Sequence, residues 1–597
     1  MTEKELRELK EKVMKVTRPG EIEELLEHKT MYERLKDTAM RKPDSPALLY
    51  FGNTITYREL LTLVDNAAKG FKSIGVGYND VVTMSMLATP YGIVSMYALD
   101  KLGATMHMVN CASNVDEIKR EISNVPSKFF VGNDIFCSDN MIKLLNSIGV
   151  EKIVTTSLID GLPMGFNIDK IKYSFIEKIK APNKKIYDGV NILNYHQLLN
   201  HGRKLPYIVD ACSYEPNKLV SIAYTSGSTG NSKGCMATWD AIDSLVQVMG
   251  MTELGRFEET DIMFSTFPLW IYYSMLNMIH EPLILGVGLA LDPLFNPKDI
   301  AKRNEQYKFN HWLTIPPYIK VMLEENKKID CSRWKLIITG GAALDNDIKL
   351  KADSFIKNNG GNAHVEQGYG ASECLGSFSY GYKDNPTIGS LGTPCVGNMI
   401  KILDVDTNEE LKIGQAGVGY LYSPALMSGY YGDEEATKHN LVQDENGVTW
   451  YNTEDLISIN EKGELFLEGR IRRIALSIDS KGNPTKIIPE RTKKCLSTMK
   501  ELSSCEVITV PDDKVVNKAV AFVVPKEGEL PTEELKNKIV SYCQMNVPEY
   551  MVPAEVIYLE QIPLNAGKKP DLIELERIYN EGVKIESNTK KKRMFKK

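Results

Sequence analysis

Hydrophobic positions along this chain recur with two periods that take turns. Ala47–Phe51 is a short apolar run, Gly52-Asn53 a turn pair, and Ile55–Tyr57 its return. Arg58–Ile74 is then an amphipathic stretch that stops near Gly75. That order predicts a hairpin followed by a helix, since apolar side chains repeat every second residue on a strand and every third or fourth on a helix. Further apolar runs at Lys128–Val131, Lys152–Thr155, Leu219–Thr225 and Lys335–Thr339 alternate with helix-period sequence, which predicts an α/β body. The longest uncharged run, Val81–Leu99, contains Thr, Ser, Pro, Tyr and Gly and reads as a buried core segment rather than a membrane span.

Near Gly469 the texture changes. Val507–Val510, Val520–Val524 and Glu555–Tyr558 are strand-like, with the helix Glu533–Gln544 before the last of them. They predict a small separate α+β domain. The domains expected are therefore a charged helical extension over 1–30, a large N-terminal body over 31–470, a C-terminal lid over 471–585 and a basic tail over 586–597. The polar, Lys-rich stretch 160–205 reads as an insertion or a surface excursion.

Composition narrows the function. The chain has 597 residues, 43% hydrophobic and 25% charged, enough to bury a large core. A net charge of −6 argues against a general nucleic-acid partner. Ten cysteines without a C-x-x-C pair, and eight histidines without metal-binding spacing, argue against a disulfide framework and a zinc site. The charged N-terminus has no apolar signal region. A reduced, cytoplasmic setting without a transmembrane segment is the expectation.

The strongest local signal is Tyr224-Thr225-Ser226-Gly227-Ser228-Thr229-Gly230-Asn231-Ser232-Lys233-Gly234, placed after an apolar strand. Its glycines let the backbone approach an anion, its hydroxyls and amides donate, and Lys233 adds positive charge. Polyphosphate is the natural ligand. The spacing is not that of a Walker A loop, since Gly234 follows Lys233 where Ser or Thr is needed.

This loop resembles the phosphate-loop motif of the adenylate-forming superfamily, which includes acyl- and aryl-CoA synthetases. The resemblance recurs in order along residues 31–575. Glu366-Gln367-Gly368-Tyr369-Gly370-Ala371-Ser372-Glu373 resembles the family's Q-G-Y-G-x-T-E, Thr339-Gly340-Gly341-Ala342-Ala343-Leu344 its S-G-G-A-P-L, and Trp450–Leu456 its W-x-x-T-G-D-L, with Glu454 in place of Gly. Gly469-Arg470 matches its G-R pair. Pro563-Leu564-Asn565-Ala566-Gly567-Lys568-Lys569-Pro570-Asp571 resembles its P-L-T-x-N-G-K-x-D, where an ungapped register makes Lys569 the catalytic lysine and a one-residue slip makes it Lys568.

The resemblance implies an α/β body with a mobile C-terminal α+β domain. It implies activation of a small carboxylic acid by ATP and Mg²⁺ through an acyl-adenylate, then transfer to a thiol, most commonly that of CoA. A carrier-protein phosphopantetheine is the alternative acceptor, and a ligase-dead nucleotide-binding regulator the alternative class. No nucleic acid is implied, and the oligomer, if any, is expected to be a homodimer.

By the same resemblance Thr225, Ser226, Gly227, Ser228, Thr229, Gly230, Lys233, Gly340, Gly341, Ala342, Gln367, Gly368, Tyr369, Gly370, Ser372, Asp455 and Arg470 bind ATP. Glu373 and Thr225 attend the metal, Thr229 assists the chemistry beside Glu373 and the lysine, and Arg472 is the hinge. Trp270, Tyr272, Tyr273 and Gly341 are candidates for the acyl pocket, and Phe267-Pro268 disfavours an α-amino acid. After the hinge, Ala475 stands where Lys is usual, and Arg491 and Lys493 where Glu is usual, so the thioester half departs most from the pattern.

Overall fold

The hairpin expected after residue 46 forms: Pro46–Tyr50 pairs antiparallel with Asn53–Thr56, and Phe51 and Gly52 turn between them with positive φ. Thr56 then caps the helix Tyr57–Ser73 in a reciprocal box with Glu59. This is a computed structural model that describes residues 1–16, 18–162, 172–174, 176, 190–225, 232–381, 386–564 and 570–582. Ser226, Gly227, Ser228, Thr229, Gly230, Lys568, Lys569 and the basic tail lie outside the described residues, as does the side chain of Arg472.

The described chain divides into two compact units. The larger holds Met1–Thr225, Ser232–Ile400 and Leu421–Tyr451, and the smaller holds Lys401–Tyr420 and the chain from Asn452 on. The smaller unit thus begins earlier than the boundary at 470 drawn from the motifs.

Among the described residues two sheets lie wholly in the larger unit. In one, Leu336–Thr339 lies between His311–Thr314 and Val365–Ala371, all parallel, and the Pro46–Tyr50 hairpin closes the far edge. Its core is aromatic: Phe264, Trp312 and Trp334 are buried with Ile319, Ile337 and Val365. In the other, Leu219–Tyr224 pairs parallel with Thr105–Met108 and antiparallel with Gly234–Thr238. The uncharged run Val81–Leu99 splits into the buried strand Val81–Ser85 and most of the helix Pro90–Lys101, so it is core, as expected. No helix among the described residues is long and apolar enough to cross a membrane.

One expectation needs correcting. The stretch 160–205 is not wholly an excursion. Asn191–Asn194 is the edge strand beside Lys152–Thr156, and the helix Tyr195–Arg203 buries Tyr195, Leu198 and Gly202. Gly202 lies so close to Gly70 that a Cβ there would sit 2.5 Å from the Gly70 nitrogen. The Lys-rich sequence before it masks a helical spacing of Tyr195, Leu198, Leu199 and Gly202. The charged N-terminal segment packs onto the larger unit. Its helix Glu3–Val13 buries Leu6 and Val13, Ile22 and Leu26 follow them into the core, and a Cβ on Gly250 would lie 2.8 Å from Leu6 Cδ2.

The same region carries a buried ion pair. Arg34 donates from Nε and Nη2 to the two carboxylate oxygens of Asp243, each at 2.7 Å, with both residues at most 3% exposed. The backbone of Lys29 donates to the same carboxylate at 3.0 Å. Arg34→Ala leaves that carboxylate buried beside a void, so it is expected to cost about 3–5 kcal/mol in urea unfolding. Replacing both residues, as R34M with D243L, is expected to recover most of the loss; an unstable double variant beside a stable R34A would contradict this account.

In the smaller unit Leu502–Asp512 and Val516–Pro525 form a long antiparallel pair, and Glu555–Tyr558 adds parallel to the second strand. The helices Pro489–Leu496 and Glu533–Asn546 bury Leu496, Leu535 and Ile539 against them. This is the α+β arrangement expected.

Candidate nucleotide and acyl site

The phosphate loop springs from a closed base. Val220, Ser221, Ile222 and Ala223 are buried, which anchors the outgoing strand, and Tyr224 pairs with Gly234 on the return. The Thr225 amide donates to the Lys233 carbonyl at 2.9 Å, and the Lys233 amide to Thr225 Oγ1 at 3.2 Å. A second set of contacts, which no motif signals, steadies this base. Ser232 donates to Glu121 Oε1 at 2.6 Å and accepts from Arg120 Nη2 at 3.1 Å. Burial pushes the Glu121 carboxyl up to about 7, against the Ser232 hydrogen bond. Tyr224 lies 2.8 Å from His107 Nε2 and donates to the Glu121 carbonyl. His107 is neutral, since burial pushes it down to about 3. Its other ring nitrogen, Nδ1, lies 3.2 Å from Thr83 Oγ1, so the imidazole is held at both nitrogens.

The two other motifs of the larger unit leave the C-terminal ends of neighbouring parallel strands, where ligands gather in α/β sheets. Gly340 follows Leu336–Thr339 and donates to the Thr314 carbonyl at 3.1 Å. Gly341 turns with φ +77, a conformation that favours glycine, and Ala342 is exposed beside it. Gln367 ties this turn to the next strand by accepting from the Leu344 amide at 3.2 Å. Gly370 has no room for a side chain, because a Cβ would lie 1.8 Å from the Gly376 carbonyl oxygen. Tyr369 and Ser372, which flank that approach, are half-buried.

Glu373 sits in the turn Ser372–Cys374, just before Leu375 at φ +54. A buried leucine in the left-handed region is strained, and such strain collects at functional sites. The turn is braced from two sides. Asn277 accepts from the Ser377 amide at 3.2 Å, and the Met427 amide donates to the Glu373 carbonyl at 2.8 Å. Tyr430 donates to Glu373 Oε1 at 2.6 Å, and its ring centroid lies 4.9 Å from Lys233 Nζ. Tyr430 therefore brings the lysine of the phosphate loop and the carboxylate of the second motif to one side chain. Sequence reasoning misses it, because Gly429-Tyr430-Tyr431 has no fixed spacing to either motif.

The three aromatic candidates for the acyl pocket separate. Tyr272 is 2% exposed and its hydroxyl is shared between the carbonyls of Ser221 at 3.0 Å and Cys235 at 2.9 Å, which commits it to the core rather than to a ligand. Trp270 is half-buried against the edge of Phe136. Tyr273 opens a π-helix, Tyr273–His280, and its buried hydroxyl has no hydrogen-bond partner. A Cβ on Gly340 would lie 3.8 Å from that hydroxyl. A buried hydroxyl without a partner is costly, and π-turns cluster at functional sites.

In the smaller unit Asp455 and Arg470 face each other across paired strands, Thr449–Ile459 and Leu465–Arg470, with Arg470 Nε 3.0 Å from Asp455 Oδ1. Glu454, in place of the family's glycine, takes φ +55, a left-handed backbone that glycine adopts more readily. Of the positions after Arg472 that depart from the family pattern, Lys493 is engaged in an ion pair, beside two more made by Arg473. Lys493 pairs with Glu506, and Arg473 pairs with both Glu506 and Glu490, the last two at 2.9 Å. Burial drives the Glu506 carboxyl up, but Lys493 and Arg473 outweigh it and hold the group below the usual carboxylate range.

Glu373 Oε2 and the Thr225 hydroxyl are hard oxygen donors and fit Mg²⁺, an ion that takes few protein ligands and completes its shell with phosphate and water. A model of the AMP-binding enzyme family matches residues 35–431, and one of the AMP-binding enzyme C-terminal domain matches 494–569. The chain is similar to 4-coumarate–CoA ligase-like 6 of Arabidopsis thaliana, 24% identical over 550 residues, covering 89% of this chain and 87% of that protein. Among solved structures it resembles ATP-bound MatB from Rhodopseudomonas palustris, with TM-score 0.75 and 19% identity, over 93% of this chain and 99% of that one. It also resembles o-succinylbenzoate CoA synthetase from Bacillus subtilis bound to its acyl-adenylate, with TM-score 0.71 and 18% identity, over 92% and 99%. With two thirds of its length matched by the larger family model and the motif residues on the strand ends just described, this chain belongs to the AMP-binding enzyme family.

Proposed function

We propose that this protein activates a carboxylic acid with ATP and transfers the acyl group to the thiol of CoA. The observation that carries the reading is the meeting of Lys233 and Glu373 on Tyr430. A cation from a glycine-rich loop and a hard carboxylate, far apart in sequence, are what a magnesium-bound polyphosphate needs on its two sides.

In this reading the substrate carboxylate attacks the α-phosphorus of ATP, forming an acyl-phosphate bond and releasing pyrophosphate. Thr225 and Lys233 hold the phosphates, with Ser226–Gly230 between them; Gly340–Ala342 and Tyr369 lie along the adenosine; Asp455 and Arg470 take the ribose. Mg²⁺, when bound at Glu373, neutralises charge on the phosphate oxygens. Lys569, or Lys568 in the alternative register, stabilises charge between the acid and the α-phosphate. In the second half the CoA sulfur attacks the acyl carbon, and AMP leaves.

Support for the acceptor comes from the relative named as a CoA ligase. For the acid, the unpartnered hydroxyl of Tyr273 favours a substrate with a polar group on its far end, such as a hydroxylated aryl acid. The test is pyrophosphate release across aryl, short, medium and long fatty acids and amino acids, with and without CoA. Turnover sustained by CoA with one acid class supports the reading. A single burst that CoA does not relieve points to a carrier protein as acceptor, and no release with any acid overturns the ligase assignment.

A further inference from the structure

The segment Met427–Tyr431 touches both halves of the phosphate machinery. The Met427 amide donates to the Glu373 carbonyl at 2.8 Å, and Tyr430 donates to Glu373 Oε1 at 2.6 Å. The Ser428 amide donates to the Met236 carbonyl at 2.9 Å, and the Tyr431 amide to the Gly234 carbonyl at 2.8 Å. Gly429 and Tyr430 pair with Met236 and Cys235 on the strand that returns from the phosphate loop. Tyr430 is 4% exposed, so its ring has a fixed seat.

We propose that Tyr430 is a positioning residue that sets Glu373 and Lys233 jointly for magnesium-bound ATP. The inference rests on the ATP-dependent reading above. The hydroxyl and the ring do separate work. The hydroxyl occupies Glu373 Oε1, which holds the carboxylate in one rotamer and leaves Oε2 for the metal. The ring holds the Lys233 ammonium over its face, which restrains a flexible four-carbon side chain before phosphate arrives. Neither function needs Tyr430 to touch the substrate. Both follow from its mount on the strand Gly234–Thr238, which is itself the continuation of the loop.

The two functions are separable by substitution. Y430F removes the hydrogen bond and keeps the ring, whereas Y430L removes both. The readout is thermal stabilisation by the non-hydrolysed analogue α,β-methylene ATP, titrated with and without Mg²⁺, so that no turnover is involved. Y430F is expected to need about tenfold more Mg²⁺ for half of the stabilisation, the size of one hydrogen bond to a charged group. Without Mg²⁺ it is expected to bind the analogue as the parent protein does. Y430L is expected to show the same magnesium defect and to weaken metal-free binding by about threefold more, the size of a partly exposed cation–π contact.

E373Q marks full loss of the magnesium response. A Y430F titration that superimposes on the parent overturns the proposal, and this variant decides the matter even if Y430L fails to fold. A parent protein that shows no magnesium-dependent stabilisation at all overturns the ATP reading itself, which separates the two failures.

Discussion

Lys569→Ala is expected to slow acyl-adenylate formation by about a thousandfold, the upper range for removing one preorganised charge stabiliser from a reacting centre. Its affinity for ATP is expected to stay within about twofold, because an interaction formed mainly in the transition state acts on kcat rather than on ground-state binding. Lysine suits the task as a compact cation able to bridge a carboxylate and a phosphate while charge builds between them. The described residues on either side show a clasp. The Asp571 amide donates to the Pro563 carbonyl at 2.8 Å, and Leu564 and Pro570 form an antiparallel bridge. Asp571 also caps the helix Leu572–Asn580, accepting from the Glu574 amide at 3.1 Å. The clasp anchors both ends of the motif but does not choose between its two lysines. The measurement is acid-dependent ATP–pyrophosphate exchange for K569A and K568A in parallel, with ATP affinity measured separately. Loss in K568A with K569A unaffected would assign the catalytic role to Lys568. Full exchange in both would remove the motif from the chemistry.

Asp455→Ala is expected to weaken binding of ATP and AMP by at least about a hundredfold. A carboxylate that accepts from two ribose hydroxyls makes two hydrogen bonds to a charged group, each worth about 1.5–3 kcal/mol. The side chain is 6% exposed and preset: its own amide donates to Thr453 Oγ1 at 3.0 Å, and Arg470 Nε lies 3.0 Å from Oδ1. Asp455→Asn keeps one acceptor oxygen and is expected to lose less. Direct titration with AMP checks both, since AMP needs neither metal nor acid. Unchanged AMP affinity in D455A would restrict Asp455 to pairing with Arg470.

Much of the site is legible in the sequence. The glycines at 340, 341, 368 and 370 and the carboxylates at 373 and 455 stand in motifs whose spacing is local, and local spacing survives into three dimensions unchanged. Tyr272 and Tyr273 show the limit. Adjacent in sequence and identical in type, they part at the start of a π-helix, one hydroxyl committed to two carbonyls and the other left without a partner. No pattern along the chain distinguishes them. The helix Tyr195–Arg203 is hidden for a related reason: its neighbour in space is Gly70, and its neighbours in sequence are lysine-rich.

The sequence by itself determined the order of strands and helices, the α+β character of the C-terminal part, the phosphate loop and the family motifs, because each depends on residues a few positions apart. The tertiary structure alone decided which side chains meet. It packed Leu6 and Val13 of the charged N-terminal helix into the core, paired Arg34 with Asp243, and placed Tyr430 between Lys233 and Glu373. Those contacts join residues separated by tens to hundreds of positions, and their geometry is set by sheet register and close packing, which no local pattern encodes.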